Sequence, residues 1–116
     1  MNGNPLVEKS KQFAVEIIQV STEMKENKKS AILINQLLRS GTSIGANIHE
    51  GNYASSRQDF INKFQIALKE CYETEYWLDI FKDSALLSID AHRKLMGDCN
   101  KIRIMLIKSI NTAKEK

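Results

Sequence analysis

The chain has 116 residues, the size of one domain. Apolar residues make up 42 % of it and charged residues 27 %, and its net charge at pH 7 is +3, which suits a soluble protein with one core. No apolar run reaches the ~18 residues that span a bilayer, and the N-terminal segment lacks the apolar stretch of a signal peptide. We therefore expect a cytoplasmic protein that does not enter a membrane.

The first helix is predicted over residues 5–25. Pro5 suits the first turn of a helix, and Phe13, Ile17 and Met24 belong to an apolar stripe that repeats every three or four residues. The polar segment 26–29 then forms a link. With only one Pro and five Gly in the chain, few breaks interrupt such a pattern, which favours an all-helical fold.

The second helix is predicted over residues 30–50. Ser30 is a suitable N-cap, and Gly51 is placed where a left-handed residue would end the helix. Gly41 and Gly45 are four residues apart inside the helical pattern, which indicates close packing rather than a phosphate-binding loop. This helix is therefore expected to pack on more than one side.

Polar residues also step along the second helix. Arg39 is expected to pair with Glu73 or Glu75 of the third helix, and each buried polar group needs a partner because an unmet one costs ~1–3 kcal/mol. We interpret such a network as setting helix register; a ligand or nucleic-acid role is the alternative. The residues on this face are Gln36, Ser40, Ser43 and Asn47.

The third helix is predicted over residues 56–82, with Ser55 or Ser56 as its cap. Its apolar surface is wider than one bundle face requires, because aromatic and aliphatic residues flank the main stripe. This extra surface predicts a second subunit; coverage by the other helices of the same chain is the alternative. The flanking residues are Ile61, Leu68, Tyr72, Tyr76 and Trp77.

The fourth helix is predicted over residues 89–112, with Ser88 or Asp90 as its cap. Residues 90–116 carry seven bases and three acids, whereas residues 57–89 carry four bases and six acids. The basic helix can attract the acidic one or contact a phosphate backbone. The expected phosphate contacts are Arg93, Lys94, Lys101, Arg103 and Lys108.

No motif for catalysis, metal binding or cofactor binding is found. Cys71 and Cys99 have no paired cysteine nearby in sequence, so we expect two buried thiols rather than a zinc site or a disulfide framework. Neither His49 nor His92 stands in the E-x-x-H pattern of di-iron bundles. We therefore predict a protein that is not an enzyme and uses no cofactor.

Four amphipathic segments with short links predict a single all-α domain over residues 1–116, an up-down-up-down antiparallel four-helix bundle. The second segment resembles the hallmark motif of four-helix bundle proteins encoded in intervening sequences of bacterial large-subunit ribosomal RNA genes. The motif residues are Gln36, Arg39, Ser40, Ser43, Asn47, Glu50 and Gly51. The sequence departs from this family at His49, where a small residue is more usual, and at Glu70, where a small hydroxyl residue is common.

This resemblance implies a small bacterial cytoplasmic protein from a family without established enzymatic activity. Its relatives include the accessory protein of diversity-generating retroelements, a basic, barrel-shaped homopentamer that binds nucleic acid and a reverse transcriptase. A homopentamer is therefore the assembly that the resemblance implies here. Two functions stay open: a non-catalytic oligomer that binds RNA, DNA or a nucleoprotein through its basic surface, and a protein-interaction scaffold without nucleic-acid binding.

Overall fold

Four helices make up most of the computed structural model, which describes residues 4–27 and 30–115. Their bounds are α1 Pro5–Glu26, α2 Ala31–Asn52, α3 Arg57–Asp83 and α4 Ile89–Lys114. The predicted all-α fold is confirmed, and every boundary lies within two residues of the expected one. Lys28 and Lys29 of the predicted link lie outside the described residues.

Each helix begins at a side chain that accepts a hydrogen bond from a free N–H group of the first turn. The pairs are Asn4 with Leu6 at 3.0 Å, Ser30 with Leu33 at 3.4 Å, Ser56 with Asp59 at 3.0 Å and Ser88 with Ala91 at 3.1 Å. Of the alternatives predicted for α3 and α4, the caps are thus Ser56 and Ser88. These N-caps fix the residue at which each helix begins.

The helices pack in chain order, and α1 closes the ring against α4. The short links make successive helices antiparallel, which confirms the predicted up-down-up-down bundle. The molecule measures 48 × 25 × 19 Å. The contact between α1 and α4 is the sparsest of the four helix pairs, and a narrow polar groove runs along it. None of the helices in the described part of the chain is both long and apolar enough to cross a membrane.

The core runs through the whole bundle and is built from one stripe of each helix. Ile17, Leu37, Leu78 and Leu106 are fully buried examples, and each such side chain stabilises the fold by about 1.5–3 kcal/mol. Residues without any exposed surface also include Ile34, Ile44, Ile48, Ala67, Cys71, Phe81, Cys99 and Ile102. The helical spacing read from the sequence is therefore the spacing of the core.

Gly51 has a different role from the predicted one. It does not end α2 in a left-handed conformation, because the helix continues to Asn52 and Tyr53 forms the C-cap. Gly51 is buried, and a Cβ atom placed there would lie 2.6 Å from Cε1 of Phe64. The position needs glycine because the Phe64 ring of α3 packs directly on the α2 backbone.

Only one residue of the predicted polar face joins two helices. Ser40 accepts a hydrogen bond from the Thr74 hydroxyl at 2.9 Å and donates one to the Leu37 carbonyl at 3.3 Å, both in the buried interior. Ser43 and Asn47 instead donate to carbonyls of α2 itself. The buried part of the expected network is therefore a single pair between α2 and α3, Ser40 with Thr74.

Candidate nucleic-acid interface

The five bases predicted to contact phosphate lie on different sides of α4, and three of them already bind carboxylates. Arg93 Nη1 lies 3.3 Å from Asp90 Oδ1. Lys94 Nζ lies 2.8 Å from Asp98 Oδ2 and 3.0 Å from Glu16 Oε2 of α1. Hydrogen bonds to Asp98 and then Glu16 raise the pKa of Lys94. These charges are largely balanced within the protein.

Arg103 joins α4 to α3. Its Nε lies 2.9 Å from Glu75 Oε2, and its guanidinium also contacts Asn100 and sits 5.5 Å from the centre of the Tyr72 ring. The hydrogen bond to Glu75 raises the pKa of Arg103, and only 25 % of its side chain is exposed. Arg103 therefore holds two helices together and has little surface left for a phosphate group.

Lys101 and Lys108 are the two predicted bases that remain available. Both are exposed, and neither forms an ion pair with a carboxylate of the described residues. Lys101 shares the α1–α4 groove with Lys9, and Lys108 lines a second groove with Arg57 at the start of α3. Bases from α1, α3 and α4 thus line two grooves beside the fourth helix.

Charge is divided along the long axis of the molecule. The half formed by residues 4–14, 43–70 and 101–115 carries nine Lys and Arg against five Asp and Glu, and we call it the basic half. The half formed by residues 15–27, 30–42 and 71–100, the acidic half, carries five bases against nine acids among the described residues. Lys28 and Lys29, which stand between its first two segments in the sequence, raise the bases to seven, still fewer than the nine acids. The boundary passes Cys71 and Cys99, where the Cys99 thiol lies 3.6 Å from the Cys71 carbonyl oxygen.

Lys9, Lys11 and Arg57 were not among the predicted site residues. Lys11 lies on the side of α1 that packs against α2. Lys9 lies beside the fourth helix and Arg57 near its end because the bundle closes into a ring, which has no local signal in the sequence. The sequence indicates this proximity only through the predicted topology, because in an up-down-up-down bundle α1 begins at the end of the bundle where α4 ends. The interface is therefore better described as one end of the molecule than as one helix.

The Arg39 cluster lies between α2 and α3 near the middle of the bundle. Of the two predicted partners, Glu73 binds Arg39 at 2.5 Å, whereas Glu75 binds Arg103 instead. Arg39 has a second, unpredicted partner in Glu70 at 3.2 Å. Glu73 also accepts a hydrogen bond from the Trp77 indole at 3.2 Å. The arrangement joins α2 to α3 through side chains that are partly exposed. The acidic residue of the family motif, Glu50, pairs with Lys63 of α3 at 3.2 Å.

The two cysteines are buried and face each other across α3 and α4. Burial and a hydrogen bond to Cys71, the larger effect, raise the pKa of the Cys99 thiol, which keeps it in the weakly nucleophilic neutral form. His92 contacts Asp79 at 2.7 Å on the surface. Within residues 4–27 and 30–115, no three His, Cys, Asp or Glu side chains come together as a metal site would require.

Comparison with known proteins places this arrangement in a family. Residues 4–108 match the family described as 23S rRNA-intervening sequence protein. The chain is also similar to the crystal structure of a protein with unknown function of the S23 ribosomal protein family from Bacteroides thetaiotaomicron VPI-5482. The two are 42 % identical with a TM-score of 0.88, over 90 % of this chain and 97 % of that one. Comparison with curated proteins yields no match. The chain therefore belongs to the 23S rRNA-intervening sequence protein family.

Proposed function

We propose that this protein is a non-catalytic helical bundle that binds nucleic acid through its basic half. The observation that carries the proposal is the excess of nine bases over five acids in that half, together with the exposed Lys101 and Lys108, which form no ion pair with any carboxylate that the structure describes. Neighbouring Lys9 and Arg57 extend the same surface. A phosphate backbone is the ligand that a cluster of bases from several helices matches best.

Binding of this kind depends on the salt concentration and discriminates little between base sequences. Lysines that contact phosphate release counterions, so the affinity falls as the salt concentration rises. Lys101 and Lys108 are seven residues apart on α4 and therefore lie about 10 Å apart along its axis, a spacing that suits successive contacts with one backbone. Such contacts position a nucleic acid without reporting its base sequence.

The test compares two double variants with the same change in net charge. Lys101→Glu/Lys108→Glu alters the basic half, and Lys25→Glu/Arg93→Glu alters the acidic half. Binding of a labelled RNA of about 20 nucleotides is measured from about 50 to 200 mM salt. The first variant should lose affinity and reduce the salt slope by roughly 1.4–1.8, because each lost phosphate contact removes about 0.7–0.9. The control should change far less.

Two results would overturn the proposal. One is wild-type protein that binds neither single-stranded nor duplex RNA at the lowest salt concentration. The other is equal loss of affinity in the two double variants, since this would reflect net charge alone. Circular dichroism of each variant shows whether its helices are intact, so that a folding defect is not mistaken for lost binding.

A protein-interaction surface is the second candidate function, and one observation favours it. The outer face of α3 exposes Ile66, Tyr72, Tyr76 and Ile80, a set of apolar and aromatic side chains such as protein interfaces use. We propose that this face mediates self-association, and the family resemblance implies five copies. Mass measurement in solution, with and without nuclease, tests the number of copies. A monomer unaffected by Tyr76→Glu would contradict this role of the face.

A further inference from the structure

A shallow groove between α1 and α2 in the basic half is not used by the proposed phosphate contacts. Val7, Ala14 and Ala46 contribute its apolar lining, and Lys11 and His49 also line it. The groove has a volume of about 240 Å³, many times the ~10–15 Å³ that a cavity needs to hold one water. It therefore has room for a flat aromatic ring system.

The groove exists because α1 and α2 approach each other closely. At Gly45, a Cβ atom would lie 3.3 Å from the Ser10 carbonyl oxygen of α1, and the next residue, Ala46, is exposed and small. Small residues at successive positions leave α2 without side chains that would fill the space above it. The α2 backbone therefore forms the bottom of the groove, and the face or edge of a planar group can pack against it.

Two aromatic rings stand next to this groove at the end of α2. The Tyr53 side chain is 80 % exposed, and its ring centre lies 5.2 Å from that of His49 at an interplanar angle of 53°. Within the described residues Tyr53 is the most exposed of the large hydrophobic side chains. Exposed aromatic rings beside lysines are the combination on which unpaired bases stack.

We infer that the nucleic acid bound by the basic half is single-stranded, with one base in the α1–α2 groove against His49 and a neighbouring base stacked on Tyr53. This inference rests on the proposed function, because the phosphates are held by the surrounding bases, among them Lys11 at the groove. A duplex keeps its bases stacked inside the helix and offers neither the groove nor Tyr53 a ring face. Preference for a single strand is therefore the expected property.

The test measures fluorescence anisotropy of labelled single-stranded RNA and duplex RNA of equal length at one salt concentration. Tyr53→Ala removes the stacking ring, and Ala46→Leu fills the groove; neither changes the charge. Each should weaken single-strand binding, Tyr53→Ala by roughly 5- to 150-fold per lost base stack, and leave duplex binding unchanged. Ile32→Ala, which truncates an almost equally exposed apolar side chain of the acidic half, is the matched control and should have no effect.

The outcomes separate this inference from the proposed function. Equal wild-type affinity for single-stranded and duplex RNA, with no effect of Tyr53→Ala, would overturn the inference and leave nucleic-acid binding intact. Absence of binding to both RNAs would overturn both. If Ala46→Leu fails to fold by circular dichroism, Tyr53→Ala decides alone, since Tyr53 is exposed and packs only on His49 among the aromatic residues described.

Discussion

The Arg39 guanidinium on α2 binds two carboxylates of α3 at once: Nη2 lies 2.5 Å from Glu73 Oε2, and Nη1 lies 3.2 Å from Glu70 Oε2. The two glutamates are three residues apart and therefore neighbours on one side of α3. A single side chain thus bridges two turns of the adjacent helix. This relationship makes the stability of the bundle depend on pH in a predictable direction.

The first prediction concerns Arg39→Gln. The hydrogen bond from Arg39 is the main reason why the pKa of Glu73 lies below its ordinary value of 4.5, so the unfolded chain takes up a proton at higher pH than the folded chain. Stability from this pair is complete above pH 4.5 and is lost as the pH falls through the lowered pKa. Urea unfolding at pH 7 should show Arg39→Gln less stable by about 0.2–1 kcal/mol, the range for exposed pairs.

As the pH falls below 4.5 and through the lowered pKa of Glu73, the difference between wild type and Arg39→Gln should shrink, because protonation of Glu73 removes its charge in the wild type as well. A difference that stays constant from pH 7 to pH 3 would show that the effect of Arg39 comes from packing of its side chain and not from its charge.

The second prediction compares two glycines inside helices. Gly51→Ala places a methyl group 2.6 Å from the Phe64 ring, and such overpacking should lower the free energy of unfolding by about 1–3 kcal/mol. Gly97 of α4 has no atom within 4 Å of the same methyl position, so Gly97→Ala should instead stabilise by about 0.5–1 kcal/mol through helix propensity. Thermal unfolding of both variants checks this, and shifts of the same sign would contradict it.

The third prediction concerns the turn after α3. Ala85 has φ 62°, and its N–H donates to Lys82 O at 3.0 Å while the Leu86 N–H donates to Phe81 O at 2.8 Å. These two bonds form the Schellman motif, in which glycine is preferred at the left-handed position. Ala85→Gly should stabilise the fold by about 0.5–1 kcal/mol, because relief of the left-handed conformation exceeds the entropy cost of glycine. Ala85→Val, tested in parallel by urea unfolding, should destabilise it; stabilisation by valine would show that the turn is not strained.

The fourth prediction concerns the buried Ser40–Thr74 pair. Ser40→Ala leaves the Thr74 hydroxyl without its acceptor in the core, which should cost about 1–3 kcal/mol. Ser40→Ala/Thr74→Val removes both hydroxyl groups and should cost less than the sum of the two single variants. Chemical unfolding of all four proteins measures this coupling, and strictly additive losses would show that the two hydroxyl groups act independently.

Helix positions were predictable from the sequence because burial follows the helical repeat. Leu37, Ile44 and Ile48 fall on the same stripe in sequence and in the core, and Ser30 is the cap that its position indicated. The prediction that Gly51 ends α2 is wrong because a sequence does not distinguish a glycine that ends a helix from one on which a neighbouring ring packs. Only the position of Phe64 on α3 separates the two cases.

The candidate interface was less predictable because pairing between helices is not visible in a sequence. Lys94 looks available on α4, yet it binds Glu16, which lies 78 positions earlier in the chain. Arg103 likewise binds Glu75 of α3. Conversely, Lys9 and Arg57 belong to other helices and approach the fourth helix only once the ring has closed. The sequence shows in which segment the bases are concentrated, but only the fold shows which of these bases form ion pairs with carboxylates of other helices.

The division of charge between the two halves gives each molecule an electric dipole along its 48 Å axis. In any assembly whose copies stand side by side in the same direction, these dipoles add, and the assembly acquires one positive rim and one negative rim. A polyanion would then approach the positive rim from one side, and its attraction would grow with the number of copies. The opposite rim would repel the same polyanion and stay free for a basic partner.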